Sequence, residues 1–159
     1  MKLVINSCYG GFDLSPKATK RYLELKGKQV YFYKQTKYNW SDNNAEFQRI
    51  DDTENLNELF IYCTTEDQGK VINDFPDNTF HSREIPRNDK YLVQVVEELG
   101  AEASSKCAQL TIVEIENGRW YKIDEYDGYE SIKYRDIDDE WELAEDNDEY
   151  KLEDIVEEK

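Results

Sequence analysis

Near its start the chain joins an apolar, β-branched run, Leu3-Val4-Ile5, to a helix through two adjacent glycines, Gly10-Gly11. That unit constrains the fold more than any other stretch. The strand must turn sharply at the glycines, and Ser15-Pro16 restarts the chain at once as a helix. Ser15 is a good N-cap, and Pro16 suits the first helical position, where its missing N–H costs nothing. Leu14, Ala18, Tyr22 and Leu25 fall at helical spacing and form a core face, while Lys17, Lys20, Arg21, Lys26 and Lys28 give an exposed positive stripe. Gly27 is the expected terminator.

Beyond this unit, Gln29–Gln35, Glu46–Ile50 and Leu59–Thr64 read as strands, with residues 65–82 as an exposed excursion. Asp89 is placed to cap a second helix with Leu92, Val95, Val96 and Leu99 on its apolar face. Leu110–Ile115 and Trp120–Ile123 are strands, and Asn117-Gly118 between them predicts a hairpin. Asp127-Gly128 marks another turn, with Ile132 and Tyr134 in a last strand. The order β-α-β-β-β-α-β-β lacks strict alternation. It predicts an α+β fold: a largely antiparallel sheet of about five to six strands, with two main helices on one face.

The formal net charge is −16. Residues 136–159 hold 13 acids against two lysines, a net of −11, which leaves −5 for residues 1–135. The chain therefore divides into one α+β domain, 1–135, and an acidic tail, 136–159. The charge opposes direct nucleic-acid binding and anionic membranes, and favours basic partners. Apolar residues punctuate the tail, as in segments that are disordered alone and dock on a partner. Trp141, Glu142, Glu145, Asp146 and Tyr150 are the candidate partner-binding residues. The tail can equally be plain solvating disorder, a mimic of the phosphate ladder, or a strap folded back on the basic stripe.

Three widely spaced cysteines, one histidine and no signal-length apolar run point to a cytoplasmic protein with free thiols. They give no reason to expect a zinc site, another metal or a cofactor. The Gly10-Gly11 turn faces a helix N-terminus, whose amides and dipole suit an anion. Cys8, Tyr9, Gly10, Gly11, Ser15, Lys17 and Arg87 are the candidate ligand-binding residues. The alternative is a sharp turn and nothing more, with an Arg87–Asp89 bridge beside the second helix cap. Cys8 lacks an adjacent base, since His81 sits in a distant loop, so no catalytic residue is assigned. Glu114, Glu116, Asp124, Glu125, Asp127 and Glu130 read as a solvated strand face.

Three stretches resemble a family of small proteins encoded by bacteriophages and prophages. They are Leu3-Val-Ile-Asn-Ser-Cys-Tyr-Gly-Gly-Phe12, Ile85-Pro-Arg-Asn-Asp89 with Leu92-Val-Gln-Val-Val-Glu-Glu-Leu-Gly100, and Leu110-Thr-Ile-Val-Glu-Ile115 with Ile123-Asp-Glu-Tyr-Asp-Gly128. The chain departs from the pattern at Lys90, where the family has proline. It departs again after Ile132, where the acidic extension replaces a His-Arg ending. Together with the surplus of tyrosine and acid and the lack of a catalytic set, the resemblance points to a non-enzymatic accessory protein in the cytoplasm of an infected or lysogenic bacterium. It would bind and neutralise a basic host protein, a defence or nucleic-acid-handling factor, as an acidic DNA mimic. The alternative is sequestration of, or action on, a nucleotide-like signal at the Gly10-Gly11 turn. Self-association is open in either case.

Overall fold

The structure, a computed structural model, describes residues 1–41, 44–54, 56, 61–135, 142–146 and 149–155. It is α+β, with nine strands in three antiparallel sheets and two helices among the described residues. β1 (Lys2–Asn6) pairs with β6 (Leu110–Glu114). β2 (Tyr31–Asn39) pairs with β3 (Asn44–Ile50) and β4 (Ile61–Thr64), and β3 carries the short β5 (Val71–Ile72). β7 (Trp120–Tyr126) lies between β8 (Tyr129–Tyr134) and β9 (Glu142–Leu143). No helix among the described residues is long and apolar enough to cross a membrane.

Three sheets form instead of one because β1 is apolar on both faces. Side chains alternate across a strand. Val4 therefore enters the main core with Phe12, Tyr22, Leu92 and Val95, while Leu3 packs on the other side with Ile115, Tyr121 and Ala144. The β1–β6 ribbon separates the helices from the β7–β8–β9 sheet.

The Asn117-Gly118 turn does not make the expected hairpin. The edge of β6 is taken by β1 (Leu3↔Val113), and the Met1 backbone closes on Ile115, whose N–H donates to Met1 O at 2.8 Å. Gly118 N–H and Ala144 N–H instead bond Ala144 O and Arg119 O, both at 2.8 Å, so the chain leaving this turn meets β9. The hairpin signal that does close a hairpin is Asp127-Gly128, where Tyr126 faces Tyr129 across β7 and β8. Of the expected strand 59–64, residues 59 and 60 lie outside the described residues.

The helices start as expected. In α1 (Pro16–Leu25) the Ser15 hydroxyl accepts from Ala18 N–H at 3.1 Å. In α2 (Lys90–Leu99) the Asp89 carboxylate accepts from Tyr91 N–H at 2.9 Å and Leu92 N–H at 3.0 Å. Two expectations are corrected. Lys26 leaves the exposed stripe and turns inward, because α1 ends beside the cap of α2. Its ammonium lies 3.2 Å from Asp89 with side-chain exposures of 6% and 0%, and it also donates to Tyr150 O. Asp89 is thus satisfied by Lys26, and Arg87 turns away to Glu130, so the Arg87–Asp89 bridge does not form.

The described part of the tail lies against the domain. Leu152 and Ile155 enter the main core, Tyr150 OH donates to Asn88 Oδ1 at 2.8 Å, and Glu149 pairs with Lys90 at 2.6 Å.

Two outcomes are expected. Asp89→Ala removes both a helix cap and the partner of a buried ammonium, so urea unfolding should show a loss of about 3–5 kcal/mol. Glu149→Gln, at an exposed and solvent-screened pair, should leave the urea midpoint close to that of the unchanged protein. Burial, and then the nearby Asp89 and Glu142 carboxylates, push the Tyr22 and Tyr121 hydroxyls well above the ordinary tyrosine value. The folded state therefore holds protons that the unfolded chain releases. The stability tied to these groups is complete below about pH 10 and falls as pH rises beyond it. Urea midpoints should show no fall from these groups between pH 8 and about 10 and drop from there to pH 11, with tyrosinate absorbance appearing on unfolding.

Candidate functional site

The turn after β1 is held where three backbones nearly touch. A Cβ on Gly10 would lie 1.5 Å from Cys107 O, and one on Gly128 would lie 2.5 Å from Gly11 N. No side chain fits at either contact. The two glycines therefore wedge between the 104–107 loop and the β7–β8 turn, which is a stronger demand than a free reversal.

Asn6, fully buried at the end of β1, ties the three segments together. Its amide donates to Cys8 O and Gly128 O, both at 2.8 Å, and its carbonyl accepts from Gln109 N–H at 2.8 Å. Its backbone N–H donates to Glu130 Oε1 at 2.9 Å. Glu130 in turn faces the Arg87 guanidinium, Nε to Oε2 3.2 Å. Arg87 also donates to Ile85 O at 2.7 Å and lies 3.6 Å over the Phe12 ring. Burial pulls Arg87 below its ordinary pKa while Glu130 opposes that shift. Arginine stays charged in either environment.

Beside this junction opens a cleft of about 710 Å³. Phe32, Ile61, Cys63 and Phe80 supply an apolar wall. His81, Ser82, Arg83, Ser104, Ser105 and Lys106 supply a polar one, and Gly10, Gly11, Ser15 and Arg87 also face it. Three carboxylates reach the cleft, and each is held by donors of its own chain. Asp13 accepts from Ser82 at 3.0 Å, Glu125 from Gly128 N–H at 2.5 Å, and Glu130 from Arg87. Crowding in the cleft raises the Asp13 carboxyl above its usual value, against the Ser82 and Ser105 hydroxyls, which lower it. Arg83 keeps 63% of its side chain exposed and makes a 3.4 Å contact with Glu84. The Tyr9 and Tyr129 rings meet at 5.3 Å, tilted by 48°, just outside Gly10 and Gly128, and Tyr126 is exposed.

The expected ligand residues are therefore partly assembled. Gly10, Gly11, Ser15 and Arg87 line the cleft; Cys8, Tyr9 and Lys17 do not. The Ser15 hydroxyl is consumed by Ala18 N–H and Glu102 O, and Lys17 pairs with Glu102 at 3.1 Å. The Cys8 thiol points at Cys107 O, 3.2 Å away. Glu130, read as part of a solvated face, is buried in the junction. The His81-Ser82-Arg83 and Ser104-Ser105-Lys106 runs were missed as cleft residues. Their one local signal is a serine-rich, basic run directly after an apolar residue, Phe80 or Ala103.

Of the candidate partner residues, Glu142 accepts from Tyr121 OH at 3.0 Å, Asp146 from Asn117 at 2.8 Å, and Tyr150 contacts Asn88 and Lys26. Glu145 is exposed, and Trp141 lies outside the described residues.

No family model, curated protein or solved structure matches this chain. The functional reading rests on the cleft's own chemistry.

Glu130→Ala leaves the Arg87 guanidinium buried without its carboxylate and removes the acceptor of Asn6 N–H. A loss of about 3–5 kcal/mol is expected in urea unfolding. A loss below 1 kcal/mol would show that the junction does not hold the site together.

Proposed function

We propose that the protein binds a small, ring-bearing anion of nucleotide type in the cleft beside Gly10-Gly11 and holds it without chemical change. One observation carries the reading: a cleft of about 710 Å³ whose apolar aromatic wall faces a wall bearing His81, Arg83 and Lys106. That size and mixed lining are typical of small-molecule sites. The apolar residues give the cleft a dry edge for a ring, and an anionic group suits Arg83 and Lys106 on the polar side. The exposed Tyr9, Tyr126 and Tyr129 extend the aromatic surface past the mouth.

Thermal unfolding with a panel of mononucleotides and dinucleotides tests it, with inorganic phosphate as the ring-free control. Ligand at a hundred times its Kd should stabilise by about 2.7 kcal/mol. Arg83→Ala and Lys106→Ala should each weaken binding roughly tenfold, as loss of one charge-assisted contact does. The ligand should be recovered unaltered. A panel without any shift would overturn the reading, and a consumed ligand would replace sequestration by catalysis.

A second reading is capture of a basic host protein by a phage-encoded protein. The net charge of −16 supports it, as do Trp40 and Tyr126, exposed at 86% and 78%. Because Glu142, Asp146 and Tyr150 are engaged within the chain, this surface would centre on the hairpin rings. Pull-downs at low and moderate salt, with Trp40→Ala and Tyr126→Ala as controls, separate it from the first.

A further inference from the structure

We infer that Cys8 and Cys107 form an oxidation site, a thiol pair that takes a peroxide oxidant and closes into an intrachain disulfide beside the mouth of the cleft. The two cysteines lie 99 positions apart in sequence, yet Cys8 Sγ is 3.2 Å from Cys107 O. Two residues on, a Cβ built on Gly10 would sit 2.9 Å from Cys107 Cβ. The segments carrying the two thiols are thus in direct contact, the proximity that a disulfide between them requires. Both thiols are free, Cys8 half-buried and Cys107 exposed, so a small oxidant reaches the pair from solvent. Cys63 differs: it is buried in the core, and burial pushes its thiol far above the ordinary range.

The local backbone allows the closure. Cys8 is followed closely by Gly10 and Gly11, and among the described residues its thiol is held by Cys107 O and Asn6 Oδ1, at 3.2 and 3.4 Å. Rotation about χ1 releases both contacts. The exposed Cys107 sulfur, as thiolate, attacks hydrogen peroxide. The O–O bond breaks, giving a sulfenic acid and, after protonation, water. The Cys8 thiolate then attacks the Cys107 sulfur and displaces hydroxide, which leaves as a second water. Two thiols and one peroxide become one disulfide and two waters, and a dithiol reductant reverses the change. Gly10, Gly11 and Cys107 all line the cleft. The bond therefore fixes two of its walls against each other. This consequence for binding rests on the cleft reading above; the bond itself does not.

The full-length protein is treated with stoichiometric hydrogen peroxide, alkylated, digested without reduction and mapped by mass spectrometry. The expected product is a peptide pair joined through Cys8 and Cys107, two daltons lighter than the sum of the thiol peptides. It should vanish with dithiothreitol, and Cys8→Ser and Cys107→Ser should each abolish it. Sulfinic acid on Cys107 without a linked pair, a link to Cys63, or a disulfide only between chains would overturn the assignment. Affinity for the nucleotide giving the largest thermal shift is then compared between the two forms. A change of at least tenfold that dithiothreitol reverses supports control of the cleft, and equal affinity overturns that control. If no nucleotide binds either form, the cleft reading fails and the linked peptide alone decides this proposal.

Discussion

The structure depends on a buried polar junction where a non-polar one would be expected. Asn6 sits at zero exposure where β1 ends, and its amide and backbone spend their hydrogen bonds on Cys8, Gly128, Gln109 and Glu130. Buried polar groups are costly unless satisfied, and a satisfied network admits one geometry. That selectivity matters here because β1 is apolar on both faces and could slide without changing what it buries. The Asn6 amide fixes the end of the strand against the start of β6 and the β7–β8 turn together. Arg87 and Glu130 then fasten the approach to α2, whose Arg87 O accepts from Val4 N–H at 2.8 Å.

A second charged pair plays the same part at the other end of the helices. Lys26 and Asp89 are both withdrawn from water, and Asp89 also caps α2. A buried ion pair adds little net stability over an apolar substitute, but breaking one side is severe. The pair therefore specifies more than it stabilises: it sets where α1 stops relative to where α2 starts. The Tyr22 and Tyr91 rings flank the ammonium at 5.5 and 5.1 Å, and Tyr150 O caps it. The tail thus contributes a backbone carbonyl to the interior, along with Leu152 and Ile155.

Local chemistry made the early elements legible. Ser15-Pro16 and Asp89 announced their helices because capping is decided within four residues. Leu3-Val4-Ile5 announced a buried strand because both parities are apolar. Pairing was less legible. Asn117-Gly118 carries a strong hairpin signal, but the signal speaks only of the turn: β6 pairs with β1, and β7 pairs with β8 and β9. Glu130 looked solvated because its neighbours on β7 and β8 are charged, and only the fold brings Arg87 to it across 43 residues. The cleft was half visible for the same reason. Gly10-Gly11 marks itself, whereas His81, Arg83 and Lys106 come from loops whose position no local pattern encodes.

Net charge is the remaining tension, since a chain of −16 would repel the anion proposed for its cleft. Range decides between them. Much of the acid lies in the tail, and none of its described residues lines the cleft. At physiological salt, charges more than about 8 Å apart are largely screened, whereas groups touching a ligand are not. The contact field at the cleft is the sum of Arg83, Arg87 and Lys106 against Asp13, Glu125 and Glu130, of which Glu130 is paired with Arg87, so an anion is held only where it meets Arg83 and Lys106 directly. The distant acid then acts mainly on encounter, slowing the arrival of anions at low salt, while the cleft governs how long one stays.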